Sequence, residues 1–159
     1  MDEWATRVAA VWADAGNRPE PEVEAAIESL VAERPDDAVA IFELAGVRDF
    51  VGREAEAEPL YRRALELGLD EPQHGQAVIQ LASTVRNLGR PDETLALLRD
   101  EFAEHPEHPL ADAATAFAAL ALADTGAERE ALVAALRALA PHLRAYGRAV
   151  TAYADDLLG

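Results

Sequence analysis

The sequence of 159 residues contains no cysteine and no lysine. Without cysteine there is no disulfide, no thiol nucleophile and no cysteine-ligated metal. Without lysine there is no Schiff-base mechanism and no P-loop that grips phosphate through a primary amine. No apolar run approaches the ~20 residues that cross a bilayer. β-Branched residues are few, with three Ile and eleven Val, so the sequence predicts helices rather than strands.

The charge is strongly one-sided, with 30 acidic residues against 14 arginines and a net charge of −16. Such an excess repels nucleic-acid phosphates and anionic lipid heads, so neither nucleic acid nor a membrane is an expected partner. The first residues are acidic where a signal peptide is basic, which predicts a cytoplasmic protein. The composition, rich in Ala and Arg, suggests a bacterial source with a GC-rich genome.

Glycine and proline recur with a period in the middle thirties. The glycines are 36, 37 and 37 residues apart, at Gly16, Gly52, Gly89 and Gly126. The prolines are 37, 34 and 35 residues apart, at Pro35, Pro72, Pro106 and Pro141. Because Gly ends a helix without a Cβ penalty and Pro stops the next one, this period predicts an array of stacked helix-turn-helix units. The predicted helices span about 3–15, 20–34, 37–51, 53–68, 73–88, 91–104, 109–125, 127–140 and 142–158.

Two segments then resemble a known family, the tetratricopeptide repeats (TPRs). They are AIFELAGVRDFVGREAEAEPLYRRALELG at 40–68 and AVIQLASTVRNLGRPDETLALLRDEFAEHP at 77–106, and a third copy covers 115–141. The family places a Leu-Gly or Leu-Ala pair on the first helix and Ala, an aromatic residue and Ala on the second. The first copy has Leu44-Ala45, then Ala57, Tyr61 and Ala64 at those positions.

The resemblance implies an all-α fold, a right-handed α-α superhelix of stacked repeats with a C-terminal capping helix. We expect a single domain over 1–159, with a degenerate helix pair at 1–35, three repeats at 37–141 and the cap at 142–158. Small residues are expected where the two helices of a repeat meet, at Ala9, Ala45, Ala82 and Ala119. Larger packing residues are expected on the second helices, at Leu65, Phe102 and Leu139. The cap is expected to bury one stripe, formed by Leu143, Tyr146, Val150, Tyr153 and Leu157.

In this family the first helix of each repeat lines an inner groove that binds protein segments. The resemblance therefore implies a partner-binding groove with polar anchors and flanking rings, at Gln76, Gln80, Ser83, Arg86, Asn87, Phe42, Phe50 and Phe117. Residues 46–91 carry a net charge of only −1, against −8 for 1–45 and −7 for 92–159. An acidic and apolar ligand would be least repelled there, with Arg86 holding its carboxylate. Alternatively, Arg86 pairs with Asp49 in the adjacent repeat. Arg48, on a packing stripe, is expected to reach an acid on a neighbouring helix.

Catalytic patterns are weak, and the chain is not expected to be an enzyme. Only Ser29 and Ser83 could serve as serine nucleophiles, and neither lies in a G-x-S-x-G motif. The cluster Glu104-His105-Pro106-Glu107-His108 lies in a proline-bounded turn without H-E-x-x-H spacing, so no metal and no cofactor is expected. The sequence predicts a non-enzymatic adaptor that binds a protein or peptide segment in its groove. The alternative is a structural repeat protein that associates with itself, for example as a homodimer.

Overall fold

A computed structural model of the chain describes residues 2–103 and 105–159. Within these ranges the chain forms helices and no strand. Short 3₁₀ turns occupy Ala15–Asn17 and Ala140–His142. The α-helices are α1 (Glu3–Asp14), α2 (Glu20–Val31), α3 (Ala38–Phe50), α4 (Glu54–Leu67), α5 (Gln73–Asn87), α6 (Pro91–Phe102), α7 (Ala111–Asp124), α8 (Glu128–Leu139) and α9 (Gly147–Asp156).

The chain forms two compact units, residues 1–84 and 85–159. In unit 1, helices α1 to α4 pack in chain order, each against the next. In unit 2, α6 to α9 do the same. Sequential packing of antiparallel helices is what a helix-turn-helix array requires, because one pair cannot bury its apolar face alone. The assignment of residues 1–159 to a single domain stays a prediction.

The same turn follows the first helix of each of the three repeats. Gly52, Gly89 and Gly126 all adopt left-handed backbone, with φ of 72°, 81° and 83°. In the first of these turns the amide of Arg53 donates to the carbonyl oxygen of Arg48 at 2.8 Å, and the other two make the equivalent bond. This geometry favours glycine because a Cβ is strained at positive φ. The period of 37 residues read from the glycines is therefore confirmed as a structural repeat.

Most of the predicted small contact positions are buried, namely Ala45, Ala82 and Ala119. The prediction is wrong for Ala9, which is exposed on α1. The N-terminal pair packs differently, since α1 buries Trp4 and Val8 instead. The indole Nε1 of Trp4 donates to the carbonyl oxygen of Leu30 at 2.8 Å and ties α1 to α2. The contact between α1 and α2 is therefore made by a large aromatic residue, whereas in the later repeats a buried alanine lies at the corresponding position.

The packing residues predicted on the second helices are only partly confirmed. Phe102 is buried and Leu65 is half-buried, as expected. Leu139 is instead 48% exposed. The reason is that α9 packs on a different side of α8, where Arg137 and Asp155 form an ion pair at 2.6 Å.

The C-terminal helix starts later than predicted and buries another face. It begins at Gly147, after Tyr146 in left-handed backbone with φ of 68°. A Cβ at Gly147 would lie 2.5 Å from the carbonyl oxygen of Ala140, so only glycine allows this approach. The predicted buried stripe is wrong at Tyr146, Tyr153 and Leu157, which are exposed, while Leu143 and Val150 are half-buried and Ala154 is buried. Small residues on α9 meet α8, and the tyrosines point elsewhere.

Candidate functional site

One face of unit 1 combines polar groups, aromatic rings and a glycine in the middle of a helix. We call it the Gly46 face, formed by Trp12 on α1, Glu43, Gly46, Asp49 and Phe50 on α3, and Gln80 on α5. On α3 the four positions follow the three-to-four residue spacing of one helix side. Phe50 is 42% exposed, and its ring meets that of Trp12 edge-on at 5.8 Å between centroids.

Gly46 has no side chain, which leaves a recess in the middle of the Gly46 face. A side chain there would reach the Trp12 ring at 3.6 Å, the Gln80 amide oxygen at 3.9 Å and the Tyr61 hydroxyl at 4.0 Å. Tyr61 is fully buried on α4, and its hydroxyl donates to Oε1 of Gln80 at 2.7 Å. Burial raises the pKa of Tyr61, so this hydroxyl stays protonated. The recess over Gly46 is therefore small, and polar groups and an indole ring surround it.

Two carboxylates flank the recess along α3. Glu43 accepts a hydrogen bond from Nε1 of Trp12 at 2.6 Å, and burial raises the pKa of its carboxyl. Burial also raises the pKa of Asp49, although the Thr84 hydroxyl, 3.2 Å from its Oδ2, works in the opposite direction. No Arg or His among the described residues forms an ion pair with Glu43 or Asp49. Both groups are thus partly desolvated anions without a neighbouring cation.

The arginines of unit 1 are engaged with other acids. Their partners are Glu33 for Arg7, Glu22 for Arg18, Asp2 for Arg34, Glu24, Glu28 and Glu56 for Arg48, Glu24 and Glu56 for Arg53, Glu58 for Arg62 and Glu66 for Arg63. The side chain of Arg48 is 16% exposed and reaches Glu28 on α2 at 2.5 Å. The prediction that Arg48 pairs with a neighbouring helix is therefore confirmed. None of these cations is left to compensate the Gly46 face.

Arg86 pairs with an acid inside unit 2. Its Nε lies 2.6 Å from Oδ2 of Asp124 on α7. Within unit 1, the carboxylate of Asp49 accepts a hydrogen bond from the hydroxyl of Thr84. The alternative pair of Arg86 with Asp49 stays a prediction. An arginine already paired with an acid gains less from a ligand carboxylate. The argument for an acidic ligand therefore loses its main support.

The other predicted groove residues differ in what they can offer. Gln76 is exposed and Ser83 is half-buried in unit 1. Phe42 is buried, with its ring 6.1 Å from that of Tyr61, so it supports the fold from inside. In unit 2, Asn87 is exposed and Phe117 is half-buried. That the eight predicted residues form one groove stays a prediction.

Glu43, Gly46 and Asp49 lie on α3, the first helix of the first repeat, whereas all the polar anchors predicted from the sequence lie on α5. Trp12 was missed because the N-terminal pair resembles the repeats only loosely. A signal was present: Gly46 lies in the middle of a helix, where glycine costs about 1 kcal/mol relative to alanine. A glycine kept at that cost indicates a close approach or a recess.

Nothing in the described residues indicates a metal site. Within residues 2–103 and 105–159, no three His, Asp or Glu side chains are grouped to hold an ion. Of the predicted turn cluster, Glu104 lies outside the described residues. His105 lies 3.9 Å from Glu107, and Nδ1 of His108 accepts from the backbone amide of Leu110. In the same ranges, no helix has the length and apolar character needed to span a bilayer.

Unit 2 contains a separate apolar cleft of about 590 Å³ between α6, α7 and α8. Leu98 and Phe102 contribute apolar walls, and Arg99 and Arg137 also line it. Both arginines are already paired with acids, Arg99 with Asp100 and Arg137 with its partner on α9. The cleft therefore offers little polar chemistry to orient a ligand.

The comparisons with known proteins agree with the geometry. A family model described as tetratrico peptide repeat matches residues 38–157. Among solved structures, the chain is similar to the nearly identical TPR-like repeats of a Podosopora anserina protein assigned as a kinesin light chain. That crystal structure has a TM-score of 0.70 at 19% identity, covering 100% of this chain and 90% of the other. A variant of the same protein gives 0.68 at 19% identity, covering 99% and 93%. No curated protein matches the chain.

The chain therefore belongs to the tetratrico peptide repeat family. Its fold class is that of the all-α helical repeat superhelices, as predicted. Repeats of this family generally mediate protein–protein interactions.

Proposed function

We propose that this protein is a non-enzymatic interaction module that binds an extended or helical segment of another protein on the Gly46 face. The family generally binds protein partners, which supports this class of function. The face can make three kinds of contact with a peptide: its amide groups can hydrogen-bond to the peptide backbone, its rings can contact apolar side chains, and its charges can select the peptide sequence. The proposed backbone contacts are Gln80 of the face and, on the same helix α5, Gln76 and Ser83. Phe50 with Trp12 forms the apolar contact.

The observation that carries the proposal is the pair of uncompensated carboxylates. Glu43 and Asp49 are partly buried, and burial raises the pKa of both, yet no described cation pairs with either. A lysine or arginine of a partner would meet two partly desolvated anions, a contact stronger than one between fully solvated charges. The exposed ring of Phe50 adds an apolar contact beside it. The proposed ligand is therefore a segment with a basic residue next to apolar residues, rather than an acidic one.

The affinity is expected to be modest. A short segment loses conformational freedom on binding, and the open face buries a limited area. We expect a dissociation constant in the micromolar range, about −8 kcal/mol at 1 μM. Gly46 contributes by leaving the recess open, so Gly46→Ala should weaken binding while leaving the fold intact.

The test is selection of a phage-displayed library of random dodecapeptides against the protein. Selected peptides should be rich in Arg or Lys next to aromatic or aliphatic residues. Their affinity should fall about tenfold for the double variant Glu43→Gln/Asp49→Asn, about 1.4 kcal/mol. The matched control is Glu20→Gln/Asp36→Asn, which removes two exposed acids from elsewhere in unit 1.

Two results would count against the proposal. Selection of acidic peptides would mean that the chain binds segments of the opposite charge. Equal loss of affinity in the control variant would mean that net charge, rather than the Gly46 face, attracts the peptides.

A further inference from the structure

The two carboxylates of the Gly46 face are directed toward different neighbouring helices. At about 100° per residue, Phe50 lies within about 20° of Glu43 around α3, whereas Asp49 lies about 120° away. The contacts agree with this count. Trp12 on α1 donates to Glu43, and its ring meets that of Phe50. On the other side, the hydroxyl of Thr84 on α5 lies 3.2 Å from Oδ2 of Asp49. Glu43 therefore lies on the side of α3 next to α1, and Asp49 lies on the side next to α5.

The two carboxylates are too far apart for one cation to bond to both. Asp49 follows Glu43 by six residues, which rise about 9 Å along a helix, so that their Cα atoms lie about 10 Å apart. An ammonium bonded to both would need their oxygens within about 6 Å of each other, and the wider fork of a guanidinium would need about 8 Å. Because the side chains diverge from α3, their oxygens do not come closer than the Cα atoms. One cation is attracted by both carboxylates but contacts only one of them.

Each carboxylate also has room for a further hydrogen-bond donor, since a carboxylate accepts up to about four hydrogen bonds. Among the described residues, Glu43 accepts from the indole N–H alone. The hydroxyls of Thr84 and Tyr61 lie near Asp49, but each has a single proton. Gln80 competes for both protons, with its carbonyl oxygen 2.9 Å from the Thr84 hydroxyl and its Oε1 2.7 Å from the Tyr61 hydroxyl. Both carboxylates can therefore accept from a separate cation of a ligand.

We propose that the segment bound on the Gly46 face carries two basic residues, one for each carboxylate, and an apolar residue beside the one at Glu43. This inference rests on the proposed function and specifies its ligand. The apolar residue belongs beside Glu43 because Trp12 and the exposed ring of Phe50 lie on that side. The segment then crosses α3 from the α1 side to the α5 side. An extended segment rises about 3.1–3.4 Å per residue, so about three residues span 10 Å and two residues separate the basic ones.

The first test uses the wild-type protein and two fluorescently labelled decapeptides of the same composition. Each contains two lysines, one leucine next to a lysine, and serine and alanine elsewhere. The lysines are adjacent in one peptide and separated by two residues in the other. Because both peptides have the same charge, the net charge of −16 on the protein attracts them equally. Fluorescence anisotropy at about 0.15 M salt should show the separated lysines binding about fivefold more tightly.

A second test assigns each lysine to its carboxylate. A one-lysine peptide keeps the lysine beside the leucine and has glutamine in place of the other. Its affinity should fall about fivefold for Glu43→Gln and stay nearly unchanged for Asp49→Asn, whereas the two-lysine peptide should lose about fivefold with either variant. The matched controls Glu20→Gln and Asp36→Asn remove exposed acids of unit 1 and should leave both affinities nearly unchanged.

The outcomes separate this inference from the proposed function. Affinity that falls for Glu43→Gln but is equal for adjacent and separated lysines overturns the inference and leaves the proposed function in place. A one-lysine peptide that binds wild type as tightly as the two-lysine peptide does the same. If neither two-lysine peptide binds more tightly than its analogue with glutamine at both positions, the proposed function fails as well. The peptide series needs only wild-type protein, so this result does not depend on how the variants fold.

Discussion

Replacing Ala45 by leucine tests the assigned packing most directly. Ala45 is fully buried on α3, whereas Ala9, at the corresponding predicted position of α1, is exposed. Leucine adds three carbon atoms, and overpacking of a well-packed core costs typically 1–3 kcal/mol. Because Ala45 is fully buried, the larger side chain has no free space to enter. We therefore expect Ala45→Leu to lower the free energy of unfolding by about 3 kcal/mol. For a chain of this size the corresponding fall in Tm is about 6–12 °C.

Ala9→Leu is the matched control because it makes the same change in the same kind of helix position. Alanine and leucine are both strong helix formers, so propensity hardly contributes to the difference. We expect Ala9→Leu to change stability by less than about 0.5 kcal/mol. Urea unfolding, followed by far-ultraviolet circular dichroism, measures both variants. Equal losses would refute the difference in packing between the N-terminal pair and the first repeat.

Two further predictions concern charge. Arg48→Ala should lower the free energy of unfolding by about 2 kcal/mol, because it removes one of the positive charges that neutralise the half-buried Glu24. The control Arg63→Ala, at an exposed position, should leave the free energy of unfolding almost unchanged. Equal urea midpoints for the two variants would contradict this prediction. Burial raises the pKa of Glu43, so its carboxyl keeps a proton in the folded protein at a pH where the unfolded chain has lost it. This carboxyl therefore makes the folded protein less stable as the pH rises. The variant Glu43→Gln has no titrating group there and keeps an acceptor for the indole of Trp12, so the stability of the variant relative to wild type should increase between about pH 4.5 and 7. A constant difference in urea unfolding across that range would count against the assignment.

The repeat architecture could be predicted from the sequence because its signals are local. Gly52, Gly89 and Gly126 each end a helix in left-handed backbone, and this requirement acts within one turn. The predicted starts of α1, α2, α5 and α6 agree with the structure to the residue, and most of the other helix starts and ends agree within three residues. Start signals such as Pro91 depend only on neighbouring residues, so they can be read without knowing the tertiary structure.

The C-terminal helix and the partner of Arg86 could not be predicted in this way. The late start of α9 depends on Gly147 packing over the Ala140 carbonyl, a contact between elements that the helical pattern does not show. Arg86 could equally have faced an acid in the preceding or the following repeat. Which one it meets depends on how the helices pack, and the structure gives Asp124. Periodicity identifies the face of a helix, but the neighbour of that face is a tertiary property.

The Gly46 face is where the sequence departs most from what folding alone favours. A glycine inside α3 weakens the helix, and burial disfavours the charged forms of Glu43 and Asp49. Phe50 leaves part of its ring in water on the same side. Alanine, glutamine and asparagine would fit these positions at lower cost to stability. Several residues that each lower the stability of the fold are unexpected together on a purely structural surface. They are expected on a binding surface, because a partner that covers the ring and neutralises the carboxylates offsets the stability lost.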